Sequence, residues 1–260
     1  MISPARVTAG RPPTANASIQ IFCGASVTVG SQIRSVAPVT STLPPAVVRL
    51  DQKVKPKYRG SSHAWGFVVS LAGIWAMAVA PVTGWRFVAG VIYAVSLSLM
   101  LGLSALYHRP MWSHAARSRL RMADHVGVFV LIAGSYTPLA ALVSPNTWTW
   151  GLVGMWAGNL GGIVYSTLNN YGPRWVRAGL YVVLGLCALP MLLSLPPLLG
   201  WGRISVMLIS SAIYILGAVV YARRWPNPNP AVFGYHEVMH LMVLVCAAMQ
   251  FGVLWTVQQG

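Results

Sequence analysis

From Ser61 onward the chain alternates long apolar runs with short polar interruptions. Seven runs stand out, at about 63–82, 86–107, 124–144, 149–168, 176–197, 203–221 and 236–257. At about 1.5 Å of rise per residue, each is long enough to cross a hydrocarbon core of about 30 Å. Backbone polar groups in lipid must bond within their own segment, so runs of this length predict helices. Pro190 falls inside the fifth run and predicts a kink there. Gly154, Gly158 and Gly162 recur at four-residue spacing in the fourth, which predicts close approach by a neighbouring helix.

Residues 1 to about 60 differ in kind. They are rich in Pro, Ser, Thr, Val and Arg, show no sustained periodicity, and end in the basic run Lys53, Lys55, Lys57 and Arg59. That composition predicts a disordered cytosolic tail. The mildly apolar piece from Ile19 to Val29 is interrupted by Cys23 and Gly24 and makes a poor signal peptide. An alternative expectation is that Met1 lies too far upstream and the chain proper begins near Val47. The expected plan is therefore a basic tail over 1–60 and a seven-helix transmembrane domain over 61–258.

Composition agrees with the pattern. Hydrophobic residues make up 56% of the 260 and charged residues only 8%, against about 25% charged in an ordinary soluble domain. The formal net charge of +15 invites a nucleic-acid reading, but the cations sit between apolar runs. That placement fits loops facing an anionic leaflet and argues against nucleic acid as a partner. Cys23, Cys187 and Cys246 have no metal-like spacing, and two lie within apolar runs. They read as packing residues and predict no disulfide framework.

Lys and Arg also orient the bundle. The tail and the loops after the second, fourth and sixth runs carry sixteen of the eighteen, and the opposite side carries only Arg86 and Arg203. This asymmetry predicts a cytoplasmic N-terminus and an external C-terminus. It also places residues far apart in sequence at one depth, near the inner leaflet. Ser104 and His108 end the second run, Asp124 and His125 start the third, and His236, Glu237 and His240 start the seventh.

Residues four apart on a helix share a face, about 6 Å apart along the axis. His236 and His240 stand in that relation, as do Ser104 and His108. Three imidazoles from two helices plus a water are the ligand set of an open, tetrahedral zinc site. Ionisable residues inside a span are costly and are functional hypotheses by default. The plainer readings remain open. Taken singly, His108 and His240 fit interfacial histidines, Asp124 fits a helix cap, and Ser104 fits packing. His125 points about 100° away from Asp124, His63 begins the first run with nothing pairing to it, and His114 reads as a solvated loop residue.

The stretches SALYH (104–108), DHVGVFVLIAGSYTP (124–138) and HEVMHLMVL (236–244) resemble the hemolysin III family. Support comes from YSTLNNYGPRW (165–175) and YILGAVVYA (214–222). The resemblance runs from about Lys57 to Gln250. The family comprises bacterial relatives of the progestin and adipoQ receptors, which include the adiponectin receptors. The resemblance implies a seven-helix bundle in the plasma membrane with its N-terminus inside and zinc near the cytoplasmic face. It also implies that His108, His236 and His240 are ligands, with Asp124 and Ser104 holding the water.

On this reading the expected function is metal-dependent hydrolysis of a membrane lipid amide or ester. Asp124 would act as general base, and Ser104 would hydrogen-bond the water or the developing oxyanion. Three rivals stand beside it. The family name suggests a cytolysin, although no secretion signal or amphipathic pore-forming segment is evident. A sensor or receptor would use the metal structurally. Finally, His236-Glu237-Val238-Met239-His240 spells the H-E-x-x-H of zinc proteases, with Glu237 as the catalytic base.

Overall fold

A computed structural model describes residues 55–143 and 145–259. Among these residues the chain is all-helical, with eight segments: α1 (Ser61–Ala78), α2 (Gly84–His108), α3 (His114–Ala140), α4 (Pro145–Leu168), α5 (Arg174–Leu186), α6 (Leu189–Ser194), α7 (Pro196–Arg223) and α8 (Tyr235–Gln258). The expected disorder of the tail and the alternative start near Val47 fall mostly on residues outside this description.

The kink expected at Pro190 is present, and one helix start changes. The fifth run is broken, since α5 stops at Leu186 and α6 restarts at Leu189 with Pro190 in its first turn. Proline has no N–H to continue the ladder, so the run bends where the sequence predicted a kink. Within α7, Gly200 leaves helical geometry at φ 76° and ψ 151°, a conformation open to glycine because it has no Cβ. The third helix also starts earlier than its apolar run, at His114, where the Ser113 hydroxyl accepts the Ala116 N–H at 3.4 Å. Arg117, Arg119 and Arg121 are therefore helical, and Asp124 lies nearly three turns inside α3. It does not cap that helix.

Among the described residues, four stretches are long and apolar enough to cross a membrane: α2, the α5–α6 run Arg174–Ser194, α7 and α8. α1, α3 and α4 fall below that mark because they give more positions to Gly, Ser, His or Asp. α2 is the central helix, with 56% of its apolar stretch buried inside the bundle against 22–28% for the other three. It packs between α1 and α3 and also meets α8, which lies against α7 and α1. Tyr93 of α2 donates to Ala247 O of α8 at 3.4 Å, within a core that includes Met77, Leu101, Ile204 and Leu254.

The glycines of α4 admit two neighbours. Gly162 receives the Phe129 ring of α3, a Cβ on Gly158 would come within 2.9 Å of Leu184 of α5, and Gly154 faces open space. The outer surface is apolar, and Trp65, Trp85, Trp150, Trp175, Trp201 and Trp225 are all exposed. Most of these sit near helix ends, where indole rings favour the membrane interface.

Candidate metal centre

The centre is assembled from helix ends. His108 is the last residue of α2, and His236 and His240 occupy the first two turns of α8. All three are buried, and one ring nitrogen from each lies within 4.8 Å of the others. The Nε2 atoms of His108 and His236 face each other at 3.1 Å. Two nitrogens on one tetrahedral ion at zinc–nitrogen distances stand about 3.3 Å apart, so this pair is already at ligand spacing. His240 Nδ1 is buried with no hydrogen-bond partner. An orphaned nitrogen beside two converging imidazoles fits a cation better than a closed hydrogen-bonded network.

Asp124 completes the focus from α3. Its Oδ2 lies 3.7 Å from His108 Nε2, the same nitrogen that meets His236. The buried Ser104 hydroxyl, one turn before His108, lies beside the Asp124 carboxylate. The structure thus brings together Ser104, His108, Asp124, His236 and His240.

Glu237 is placed differently. Its Oε2 accepts the Gly234 N–H at 2.8 Å, the half of a capping box that a glycine N-cap allows, and its Oε1 accepts from Arg59 Nη1 at 3.3 Å. The side chain expected as a general base is thus engaged in starting α8 and in a largely buried ion pair. His125 stands outside the cluster, with its carbonyl accepting from Tyr181 at 3.5 Å. His114 is exposed at the start of α3.

Two features escaped the sequence reading. The first is His63, which seemed to lack a partner but stacks on His240 with ring centroids 3.8 Å apart and planes 6° from parallel. Its position in the first turn of α1, at the same depth as the other histidines, was the available signal. The second is the segment 55–60, expected as the end of a tail but folded across the centre. Lys57 N donates to Ala231 O at 3.0 Å and Tyr58 N to Val232 O at 3.2 Å, while Lys55 Nζ donates to Arg109 O at 2.8 Å. Gly60 caps α1 at φ 75°, and a Cβ there would sit 2.5 Å from the His108 Cβ. Cations crowd this strap. Partial burial, and then the charges of Arg117, Arg109 and Arg59, hold Lys55 below the ordinary lysine range.

A family model described as haemolysin-III related matches residues 51–251. The chain is 31% identical to the hemolysin-3 homolog of Bacillus subtilis (strain 168) over 180 residues, which span 66% of this chain and 79% of that protein. It is 27% identical to hemolysin-3 of Bacillus cereus over 214 residues, 79% of this chain and 93% of that one.

Proposed function

The chain belongs to the haemolysin-III related family of membrane proteins, and from that membership we propose that it is a zinc-dependent hydrolase of a membrane lipid amide or ester. The observation that carries this reading is the convergence of His108, His236 and His240 with the Asp124 carboxylate on one buried point. In this proposal the helices make seven crossings of the plasma membrane, with α5 and α6 forming one of them. The sixteen-to-two division of Lys and Arg supports a cytoplasmic position for the histidine end.

His108, His236 and His240 would hold the ion. Zinc in a three-histidine site supplies Lewis acidity, polarising a carbonyl and bringing the pKa of a water to about 7. Asp124 would be the proton acceptor, a role supported by its Oδ2 lying 3.7 Å from His108 Nε2. Ser104, beside that carboxylate, would help keep it aimed there. Three histidine donors rather than four protein ligands is the donor set of a catalytic rather than a structural zinc site. Burial and the strap over residues 55–60 limit water at the centre.

A lipid substrate is supported by a second feature. An apolar cavity of about 160 Å³ lies among α3, α5, α6 and α7, lined in part by Leu131, Tyr136, Leu192, Met207 and Tyr214. It offers room for part of an acyl chain at membrane depth. The test is turnover of lipid amides and esters by detergent-purified protein, with and without a chelator. Activity lost to chelator and restored by zinc is the expected result, and absence of chelator-sensitive turnover on every lipid would sink the reading.

The name hemolysin-3 carried by the Bacillus cereus relative supports a second reading, perforation of a target membrane. Liposome leakage that persists in a His108→Ala, His236→Ala double variant would favour it, because leakage would then be independent of the centre.

A further inference from the structure

At the far end of the bundle, about 33 Å along α2 from His108, a cleft of about 280 Å³ opens beside the start of α2 and the end of α8. Arg86, Arg203 and Thr256 line it together with Leu142, Leu198 and Leu199. Both guanidinium groups are anchored on the last turns of α8. Arg86 Nη2 donates to Val257 O at 2.9 Å, and Arg203 Nε donates to Thr256 Oγ1 at 3.1 Å. Arg203 Nη1 also donates to Leu199 O at 3.4 Å.

These bonds leave most of the donors unused, since each guanidinium carries five N–H groups. Arg86 Nε is buried and has no partner. No carboxylate answers either charge among the described residues, whose ion pairs are Arg59–Glu237 and His108–Asp124 at the other end. Two cations held on neighbouring residues of one helix repel each other, and more strongly near lipid than in water. The carbonyls ending α8 offset this only with partial charge.

We infer that this cleft binds a phosphate group between Arg86 and Arg203. A tetrahedral phosphate presents several acceptor oxygens and can take paired N–H donors from both arginines, as guanidinium groups favour. The leucine wall suits the glycerol or acyl part if the phosphate belongs to a lipid headgroup, while a free phosphate would need only the polar half.

The test uses full-length protein, delipidated in a zwitterionic detergent. Thermal unfolding is followed with inorganic phosphate against chloride at equal ionic strength, and native mass spectrometry measures retention of phosphatidylglycerol against phosphatidylcholine. Either phosphate or phosphatidylglycerol should stabilise or bind the wild type. Arg203→Gln should weaken that response about tenfold or more, the size expected for losing a charged hydrogen bond, and Arg223→Gln at the opposite end should leave it intact. A response to lipid alone assigns the headgroup, and a response to inorganic phosphate alone assigns the free ion. Arg86→Gln also removes a bond holding α8, so Arg203→Gln decides if that variant fails to fold. No response beyond chloride in the wild type, or an undiminished response in Arg203→Gln, overturns the inference.

Discussion

At one end of the bundle four histidines, Asp124, Glu237 and Arg59 gather where α1 and α8 begin and α2 ends. At the other, Arg86 and Arg203 grip the close of α8, and no carboxylate among the described residues pairs with them. Both ends carry polar groups that a membrane protein buries only at a cost, yet the cost is met differently. In the first, imidazoles and one carboxylate point at each other, a set that could hold a cation. In the second, two guanidinium groups cap carbonyls and keep donors to spare, and what they lack is an anion. The sign of the missing partner can be read from which groups are left unsatisfied.

The largest way to break this comparison is to remove a ligand. His240→Ala should take bound zinc from about one per chain to near none, measured by elemental analysis of purified protein, while Arg203→Gln leaves it unchanged. Metal retained in His240→Ala would mean that the imidazole cluster is not the centre. Next in size is Asp124→Asn, which keeps the ring nitrogens and removes the proton acceptor. Zinc content should hold while kcat on the best lipid substrate falls by about 10²–10⁴. Equal loss of metal and activity would instead make Asp124 a ligand.

A smaller effect is expected at the strap. Gly60→Ala places a methyl group against His108 at a positive φ, and strain of this kind costs about 1–3 kcal/mol. The thermal midpoint should drop and zinc should bind more weakly, both read in one calorimetric series. An unshifted midpoint would show that residues 55–60 do not bear on His108. The finest distinction concerns His63. If stacking sets the plane of His240, His63→Ala should weaken zinc by up to about tenfold, the equivalent of the roughly 0.5–1.5 kcal/mol of an aromatic pair. His63→Phe keeps a ring without nitrogens and should restore most of the affinity. Failure of phenylalanine to rescue would point to the His63 nitrogens instead.

Much of the architecture was legible before the fold. The positions of the helices, the bend at Pro190 and the uneven distribution of cations follow from hydropathy and charge, which act residue by residue. So did the pairing of His236 with His240 and of Ser104 with His108, because four-residue spacing places two side chains on one face of any α-helix. Asp124 shows where such reasoning stops. Its run of apolar neighbours suggested a helix start, but the amphipathic stretch from His114 to Ala123 was already helical.

What the chain alone determined is thus local: which segments are helices, which side chains share a face, and which end gathers positive charge. The meeting of His63 with His240, the approach of Gly60 to His108, the diversion of Glu237 to Arg59 and Gly234, and the convergence of Arg86 with Arg203 were decided only when the helices packed. Helical periodicity relates residues a turn apart, whereas contacts between helices depend on the rotation and offset that ridges and grooves select across the whole bundle.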